Sequence, residues 1–405
     1  MNLFLDYSQE KIKNTTIKIT GSKSESNRLL ILQQHYPDIS IKNLSNSDDT
    51  THLQQALKKE AGVVDIGHAG TAMRFLTAYF SAKDGVEVTL TGSQRMQERP
   101  VKILVDALRT LGADLEYKKN DGYPPLRIKG KKIIQKKVSI KGNVSSQYLT
   151  ALVLIAPNLE NGLTIELIGE ITSRPYLEMT LALLRQLGIK TSWEGRIIKV
   201  FPQNCIGKKT ITVESDWSSA SYFYSLVALG GIGDSLTLSS YKEESLQGDS
   251  CLTEIYKNFG VATRFKDGKI TITKISNKLN PLLLDLRNAP DIAQTIAVTC
   301  FGLGMACDLT GLHTLKIKET DRLAALKIEL EKMGGQVKIT EDSLQLHSRE
   351  GDIKKNITIQ TYNDHRMAMA FASLALKVPI KIADAEVVSK SYPGFWEDLE
   401  TCVKN

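Results

Sequence analysis

The chain has 405 residues, of which 42% are apolar, so it is long enough for a well-buried core and more than one domain. Its net charge of +7 is a mild excess, and only 6% of its residues are aromatic. This composition disfavours nucleic-acid binding. The basic run from Lys129 to Lys137 is more typical of a solvated hairpin, and basic residues do not alternate with aromatic ones for base stacking.

The cysteine and histidine patterns indicate neither a disulfide framework nor a metal site. The five cysteines are odd in number and none forms a CxxC motif, and the six histidines do not cluster at ligand spacing. The N-terminal stretch lacks a long apolar segment, and no apolar run approaches the length of a membrane span. We therefore expect a cytoplasmic protein without metal, cofactor or membrane association. A monomer is a separate expectation, which these patterns do not address.

The first informative stretch in chain order is TGSKSESNRLL, from Thr20 to Leu30. It follows the alternating run TTIKI and precedes apolar residues at helical spacing, so a strand is expected to give way to a helix here. Ser, Thr and Asn at such a point are typical of an N-cap. Two cations and several hydroxyls exceed what a cap needs and also suit a bound phosphate or carboxylate. The stretch alone leaves both interpretations open.

A repeated pattern follows, in which an amphipathic helix ends at a glycine and two short strands come next. The glycines are Gly112, Gly188, Gly260 and Gly334, spaced at similar intervals along the chain. Each fits the C′ position, where a left-handed residue lets the chain leave a helix. The alternating runs after each glycine are typical of hairpin strands. The regular spacing indicates one supersecondary unit used several times.

Between copies comes a second helix, represented by SSQYLTALVLIAP, DWSSASYFYSLVAL, APDIAQTIAVTCFGL and NDHRMAMAFASLAL. These segments are apolar nearly all round, which predicts buried helices. The earlier helix DDTTHLQQALKKEAG leaves little room for a hairpin before VVDIGHAG, so the first copy is expected to be truncated. The sequence thus predicts an α/β fold of two lobes built from related units, with helix N-termini as the working ends.

Several predicted helix starts carry cations. DIGHAGTAMRFL places Gly70 before a helix, and LKIKETDRLAAL is expected to put Lys318 and Arg322 on one helix face. TYNDHRMAMAF suggests Asn363 as a cap, with Arg366 in the first turn. Each could be an ordinary surface charge. Because a cation in a first helical turn opposes the helix dipole by ~0.3–1 kcal/mol, their recurrence indicates several bound anionic groups.

Seven motifs in this order give the chain a family resemblance: GSKSESNR, AGTAMR, RMQERP, SSQYLTAL, SRPY, KETDRL and YNDHRMAMAF. The chain resembles the 5-enolpyruvylshikimate-3-phosphate synthase family of enolpyruvyl transferases. The resemblance implies an inside-out α/β barrel in each of two lobes, with three βαβαββ units per lobe and the first unit shortened. It implies an N-terminal lobe of residues 21–214, mainly for shikimate 3-phosphate. Residues 1–20 with 215–405 would form the C-terminal lobe, which binds phosphoenolpyruvate.

The implied reaction transfers the enolpyruvyl group of phosphoenolpyruvate to the 5-hydroxyl of 3-phosphoshikimate, releasing phosphate. It belongs to the shikimate pathway to chorismate and aromatic amino acids, and glyphosate would compete with phosphoenolpyruvate. Residues matching the shikimate 3-phosphate site are Lys23, Ser24, Arg28, Ser145, Ser146, Gln147, Ser173, Tyr176, Asp291 and Lys318. Residues matching the phosphoenolpyruvate site are Lys23, Gly70, Arg95, Gln147, Arg322, Arg366 and Lys390.

The resemblance also implies the catalytic residues. Asp291 matches the family's aspartate and would accept the hydroxyl proton, Glu319 would protonate the methylene carbon, and Lys23 would assist both substrates. Guanidinium groups suit this chemistry because they bind phosphate and carboxylate bidentately. Neighbouring cations lower carboxyl pKa values, whereas Glu319 must carry a proton at some stage.

A few positions depart from the family pattern. His68 stands where Asn is usual, Phe75 where many members have Pro, and Thr314 where an Asn helps to hold the shikimate ring. Trp217 replaces a smaller residue. None of these changes removes a charged group that the chemistry needs.

Three alternatives compete with this interpretation. The sister enzyme that uses UDP-N-acetylglucosamine carries a catalytic cysteine in a mobile loop, and the corresponding segment here, TGSQRMQERP, has none. An RNA-end-binding relative of the same repeat fold would leave Asp291 and Glu319 beside Arg322 without a purpose. A catalytically dead paralogue is disfavoured because every expected acid, base and anion ligand is present.

Overall fold

Strands and helices alternate along most of the chain, as the repeat predicts. The structure is a computed structural model and describes residues 1–142, 145–169, 171, 174–279 and 281–403. In these ranges the strands are β1 Leu3–Leu5, β2 Thr16–Ile17, β3 Ile39–Lys42, β4 Ala61–Asp65, β5 Glu87–Thr91, β6 Asp114–Tyr117, β7 Leu126–Lys129, β8 Lys137–Lys141, β9 Leu163–Ile168, β10 Thr191–Glu194, β11 Ile197–Val200, β12 Lys209–Thr212, β13 Ser235–Ser239, β14 Val261–Lys266, β15 Lys269–Lys274, β16 Leu282–Asp285, β17 Cys307–Thr310, β18 Val337–Ile339, β19 Leu344–Leu346, β20 Ile357–Ile359 and β21 Ile380–Ile382.

The helices lie mainly between parallel strands. They are α1 Lys23–His35, α2 Asp48–Ala56, α3 Gly70–Ala82, α4 Gln94–Gln97, α5 Lys102–Thr110, α6 Ser146–Ile155, α7 Arg174–Gln186, α8 Trp217–Leu229, α9 Leu252–Ile255, α10 Ala293–Leu303, α11 Arg322–Lys332, α12 His365–Ala372 and α13 Phe395–Val403. None of those in the described ranges combines the length and apolarity that a membrane crossing requires.

The chain divides into two compact lobes. The N-terminal lobe comprises residues 21–213, and the C-terminal lobe comprises residues 1–20 together with 214–405. In the latter, β1 pairs with β21 and β2 pairs with β13, which ties the first residues of the chain to its second half.

Among the described residues each lobe contains three sheets, and the four-stranded ones share one plan. In the N-terminal lobe the strand orders are β4-β5-β7-β6, β8-β9-β11-β10 and β12-β3. In the C-terminal lobe they are β2-β13-β15-β14, β16-β17-β19-β18 and β1-β21-β20. A four-stranded sheet joins a parallel pair with a helical crossover to an antiparallel hairpin. The β12-β3 sheet lacks a hairpin because α2 leads directly to β4, so the first unit is truncated as predicted.

The four repeat glycines end helices, as the sequence predicts. Gly112, Gly188, Gly260 and Gly334 have φ of 97°, 91°, 70° and 101°. These values lie in the left-handed region, where a side chain would be strained. The glycine therefore allows the chain to turn from the helix into the hairpin of the same unit.

The second helix of each complete unit is buried, also as predicted. In α8 and α10 nearly every residue is buried, and α12 is buried throughout. A seam of small hydroxyls joins these three helices: Ser225 Oγ lies 2.8 Å from Ser373 Oγ and accepts a hydrogen bond from Thr299 Oγ1 at 2.8 Å. The small side chains let the helices approach closely while every seam hydroxyl has a partner.

The structure corrects three local expectations. Residues 130–136 join strands of different sheets, so the basic run is not a hairpin. Asp364, not Asn363, caps α12, and Asn363 takes a left-handed φ of 55°. Lys318 lies before α11, which begins at Arg322 behind its cap Asp321, so the two cations do not share a helix face.

Candidate active site

Arg322 begins α11, and its guanidinium contacts carboxylates from three segments of the C-terminal lobe. Nε donates to Asp364 Oδ2 at 2.7 Å, Nη1 to Asp291 Oδ1 at 3.0 Å and Nη2 to Glu319 Oε2 at 2.8 Å. Arg322 is 1% exposed, so these charge-assisted bonds form away from solvent. One side chain therefore brings the predicted base and the predicted acid together.

Arg366, in the first turn of α12, holds the other oxygen of the same aspartate. Its Nη2 donates to Asp291 Oδ2 at 3.0 Å, and its Nη1 donates to Tyr222 Oη at 3.4 Å. Lys318 Nζ lies 3.5 Å from Asp291 Oδ1. Both oxygens of Asp291 thus face cations, two from the stretch that leads into α11 and one from α12.

The charges in this cluster determine its protonation. Burial raises the pKa of Asp291, but Arg366, Lys318 and Arg322 outweigh burial and hold this pKa well below its usual range. Burial lowers the pKa of Lys318, and the adjacent Asp291 offsets part of that effect. Asp291 is therefore an ionised carboxylate, stabilised in that form by the three cations. In the part of the chain described, no cluster of His, Cys, Asp and Glu side chains could hold a metal ion.

Lys390 lies at the end of a 3-10 helix beside the N-terminus of α12. Its Nζ donates to the backbone carbonyl of Asn363 at 2.5 Å. Asn363 immediately precedes the cap Asp364, so the ammonium group stands next to the helix start that carries Arg366. This adds a further cation to the same end of α12.

In the N-terminal lobe, Lys23 is the first residue of α1. Ser22 caps this helix by accepting a bond from Glu25 N at 3.4 Å, so one hydroxyl of the opening stretch has the ordinary role. Lys23 Nζ lies 3.4 Å from Asp49 Oδ2, and the lysine side chain is 16% exposed. The ammonium is thus held by a buried aspartate of α2 while part of it still reaches solvent.

Arg28 brings two other predicted shikimate residues together. Its Nη1 donates to the carbonyl of Ser24 at 2.7 Å, its Nη2 to the carbonyl of Tyr176 at 3.1 Å and its Nε to Thr180 Oγ1 at 2.8 Å. Burial lowers the pKa of Arg28 to about 10. The guanidinium also lies over Phe75, 5.7 Å from the ring centroid. Arg28 therefore anchors α1 to α7 within this lobe.

The start of α6 carries the predicted serines and glutamine. Ser145 caps the helix by accepting a bond from Gln147 N at 3.4 Å, and Ser146 begins it. Gln147 Nε2 donates to Thr71 Oγ1 at 3.3 Å, which links α6 to the N-terminus of α3. Ser173 lies outside the described residues.

The N-terminus of α3 is surrounded by arginines. Arg74 Nη1 donates to the carbonyl of Gly70 at 3.1 Å. A Cβ built on Gly70 would lie 2.5 Å from Arg99 Nη1, so only glycine fits without displacing that guanidinium. Arg95 lies on the short helix α4 and pairs with Glu98 at 3.2 Å, half exposed. Of the predicted phosphoenolpyruvate residues, Lys23, Arg95 and Gln147 lie in the lobe of Gly70, whereas Arg322, Arg366 and Lys390 lie in the other lobe. Arg99, which is not among the predicted residues, lies directly against Gly70.

Sequence reasoning missed several partners of the predicted residues. Asp49 holds Lys23, and Asp364 binds Arg322 through both of its carboxylate oxygens, at 2.7 Å and 3.4 Å. Both aspartates stand at helix starts, Asp49 in the first turn of α2 and Asp364 as the cap of α12. For Asp364 the available signal was a carboxylate next to the cations that open α12, whereas no Lys or Arg lies near Asp49 in the sequence.

Comparison with solved structures identifies the fold. An EPSP synthase from Acinetobacter baumannii matches the whole chain with a TM-score of 0.77 at 22% identity. The enolpyruvyl transferase NikO from Streptomyces tendae matches 99% of the chain, over 97% of its own length, with a TM-score of 0.74 at 12% identity. The fold is therefore that of the enolpyruvyl transferases, and the predicted fold class is confirmed.

Sequence comparison defines the family. The model of the family described as EPSP synthase (3-phosphoshikimate 1-carboxyvinyltransferase) matches residues 8–399. A 3-phosphoshikimate 1-carboxyvinyltransferase from Bacteroides fragilis is 47% identical over 95% of the chain and 94% of its own length. One from Haemophilus influenzae is 38% identical over 96% of the chain and 97% of its own length. The chain belongs to the EPSP synthase family, and the predicted family is confirmed.

Proposed function

We propose that this chain is a 3-phosphoshikimate 1-carboxyvinyltransferase, which transfers the enolpyruvyl group of phosphoenolpyruvate to the 5-hydroxyl of 3-phosphoshikimate. Relatives at 38–47% identity over nearly the whole chain carry this name and support the function predicted from the sequence. The observation that carries the proposal is an ionised Asp291 within reach of Lys318, Arg322 and Arg366. A base among cations suits a reaction between two anionic substrates.

In the proposed addition step, Asp291 accepts the proton of the 5-hydroxyl of 3-phosphoshikimate. The hydroxyl oxygen bonds to the central carbon of phosphoenolpyruvate at the same time. Glu319 supplies a proton to the methylene carbon, which becomes a methyl group. In the elimination step the bond from carbon to phosphate oxygen breaks and the protonated Asp291 gives its proton to the departing phosphate. The methyl group returns a proton to Glu319, so that the double bond forms again. Each proton transfer of this kind contributes about 10²–10⁴-fold to the rate.

Glu319 must be protonated for this role although it bonds to Arg322 at 2.8 Å. A bound phosphoenolpyruvate would share the positive charge of Arg322, and the attraction between Arg322 and the Glu319 carboxylate would then be weaker. The negative charge of the substrate would then favour the neutral acid. We therefore propose that Glu319 acquires its proton in the substrate complex.

The substrate contacts are proposals that follow from family membership. For shikimate 3-phosphate they are Lys23, Ser24, Arg28, Ser145, Ser146, Gln147, Ser173, Tyr176, Asp291 and Lys318. For phosphoenolpyruvate they are Lys23, Gly70, Arg95, Gln147, Arg322, Arg366 and Lys390. Glyphosate would compete for the second set. Guanidinium and ammonium groups at helix starts supply donors for the phosphate and carboxylate of each substrate.

We further propose that the chain works in the cytoplasm, as a monomer and without a nucleic-acid partner. Cys300, Cys307 and Cys402 are free thiols in the core, which suits a reducing compartment. Static light scattering of the purified chain tests the monomer, and a mass of two chains would reject it.

The decisive experiment measures phosphate release from phosphoenolpyruvate in the presence of 3-phosphoshikimate, and then with each substrate alone. The proposal requires release only when both are present, together with a product that carries the enolpyruvyl ether. Release from phosphoenolpyruvate alone would indicate a phosphatase. Absence of release with both substrates, from a folded protein, would reject the proposed function.

A further inference from the structure

Asp249 is a buried carboxyl group that the proposed chemistry does not use. It lies in the 3-10 turn Gly248–Cys251 of the C-terminal lobe and is 4% exposed. Its Oδ2 accepts a hydrogen bond from Ser218 Oγ, while its Oδ1 has no hydrogen-bond partner among the described residues. No cation forms an ion pair with it in that part of the chain. A buried carboxyl left half-bonded costs folding free energy, so its presence calls for an explanation.

Ser218 connects this carboxyl to the candidate active site. The hydroxyl that donates to Asp249 also accepts a bond from Arg366 Nη2 at 3.3 Å. The same Nη2 donates to Asp291 Oδ2 at 3.0 Å. One nitrogen of Arg366 therefore points its two hydrogens at Asp291 and at the Ser218–Asp249 pair.

We propose that Ser218 and Asp249 are positioning residues for Arg366, and that Asp249 takes up a proton when Arg366 binds an anion. The inference rests on the proposed function, in which that anion is phosphoenolpyruvate. Without ligand, an ionised Asp249 stabilises the cationic Arg366 through the serine. A bound anion places negative charge on the same guanidinium, so the protonated Asp249 is then the favoured form.

The electrostatic setting of Asp249 makes this exchange possible near neutral pH. Burial raises the pKa of Asp249 to about 7, and the negative charge of Asp291 raises it in the same direction. Arg366 and the hydrogen bond from Ser218 act in the opposite direction. The titratable, charged and hydrogen-bonding groups that face Asp249 are Asp216, Ser218, Cys251, Asp291 and Arg366.

The sign of the pH effect follows. Added negative charge at Arg366 raises the pKa of Asp249 further, so anion binding and proton uptake favour each other. Below about pH 7 the carboxyl is already neutral and the anion binds without a proton-uptake cost. Above that pH an ionised Asp249 competes for Arg366, so phosphoenolpyruvate is expected to bind more weakly.

The test compares the wild type with Asp249→Asn, which resembles the protonated carboxyl at every pH. We expect the wild-type KM for phosphoenolpyruvate, relative to the variant's, to rise about tenfold between about pH 6 and about pH 9. Titration of phosphoenolpyruvate itself cancels in this ratio. Ser218→Ala removes the bond that favours the ionised form, so the rise should move to higher pH. Asp267→Asn, at an exposed turn, is the matched control and should follow the wild type.

A second measurement does not depend on catalysis. Sulfate, which does not titrate near neutrality, is added to unbuffered protein at about pH 7 while proton uptake is recorded. The wild type should take up about 0.3–0.5 proton per chain more than Asp249→Asn. Equal uptake, or a KM ratio independent of pH with Ser218→Ala unchanged from wild type, overturns the inference. If the wild type releases no phosphate with both substrates present, the proposed function is rejected. The sulfate measurement then decides the inference by itself.

Discussion

At the scale of single residues, the site shows how cations are tolerated at helix starts. Arg322 and Arg366 stand in first turns, where each opposes the helix dipole. The structure supplies the compensating anions from the protein itself: Asp364 caps α12 and binds Arg322, while Asp291 bonds to both arginines. Substrate anions would therefore share these guanidinium groups with protein carboxylates.

Removing the proposed base tests this arrangement. Asp291→Asn keeps the size of the side chain but cannot accept the hydroxyl proton, so we expect turnover to fall about 10²–10⁴-fold. Phosphate release at saturating substrates measures the change. Asp267→Asn, exposed and outside the cluster, should retain wild-type turnover. Undiminished turnover in Asp291→Asn would show that another group accepts the proton.

The forked guanidinium group of Arg322, which bonds to three carboxylates, can be tested by substitution. Arg322→Lys keeps the charge, but its single ammonium nitrogen cannot reach the three carboxylates that the guanidinium contacts through three separate nitrogens. We expect it to lower the free energy of unfolding by about 1–3 kcal/mol, because buried carboxylate oxygens lose their donors. Urea unfolding followed by tryptophan fluorescence measures this, since Trp217 is fully buried in the same lobe. The exposed Arg264→Lys is the matched control. Equal stability of the two variants would contradict the role of the fork.

At the scale of elements, the central helices of the C-terminal lobe depend on small residues. The hydroxyl seam of Ser225, Thr299 and Ser373 is one example, and Gly302 in α10 is another. A Cβ built on Gly302 would lie 2.7 Å from Leu229 Cδ2 and 2.9 Å from Leu374 Cδ2. The glycine thus allows α10 to lie close to α8 and to the segment after α12, which fixes the helix starts that carry the site.

Enlarging that glycine should separate the helices. Gly302→Val must displace both leucines, and overpacking of this kind costs about 1–3 kcal/mol of unfolding free energy. Gly231→Val, in an exposed turn of the same lobe where the nearest atom lies 3.8 Å from the built Cβ, is the control. Urea denaturation of both variants gives the comparison. If Gly302→Val matched the control, the contact between helices would not limit the packing.

At the scale of the whole molecule, one supersecondary plan is repeated in both lobes. Folding also buries carboxyl groups, and their burial reduces the free energy of unfolding. Asp249 is the clearest case. Its pKa of about 7 in the folded protein lies above the ordinary value for an aspartate, because burial disfavours the charged form. The folded state therefore loses stability relative to the unfolded state as pH rises from about 4, the ordinary aspartate pKa, to about 7.

The pH dependence of unfolding tests this. Unfolded chains ionise Asp249 from about pH 4, whereas the folded protein retains the proton until about pH 7. Asp249→Asn lacks this penalty, so its stability advantage over the wild type should grow by about 2–4 kcal/mol from about pH 4 to about pH 8. Urea unfolding across this range measures it, with Asp267→Asn as control. A difference between Asp249→Asn and wild type that is constant with pH would contradict a buried, neutral acid.

Much of the architecture was predictable from the sequence because its signals are local. Gly112 and Gly334 predicted the helix ends, because glycine allows the left-handed conformation in which the chain leaves a helix. The lack of a polar face predicted that the apolar helices are buried, as α12 is. The family resemblance added the candidate catalytic residues, whose motifs lie at helix starts. The cap of α12 was not predictable, since Asn363 and Asp364 are neighbours that both suit a cap.

The sequence by itself therefore determined the repeated unit, the buried helices, the family and the candidate residues. Only the tertiary structure decided which side chains meet. Arg322 joins Asp291, Glu319 and Asp364, which lie 31, 3 and 42 positions away, and Ser218 reaches Arg366 across 148 positions. The physical reason is that parallel strands joined by crossovers bring distant helix starts together, and charge pairing there depends on distances that no local pattern records.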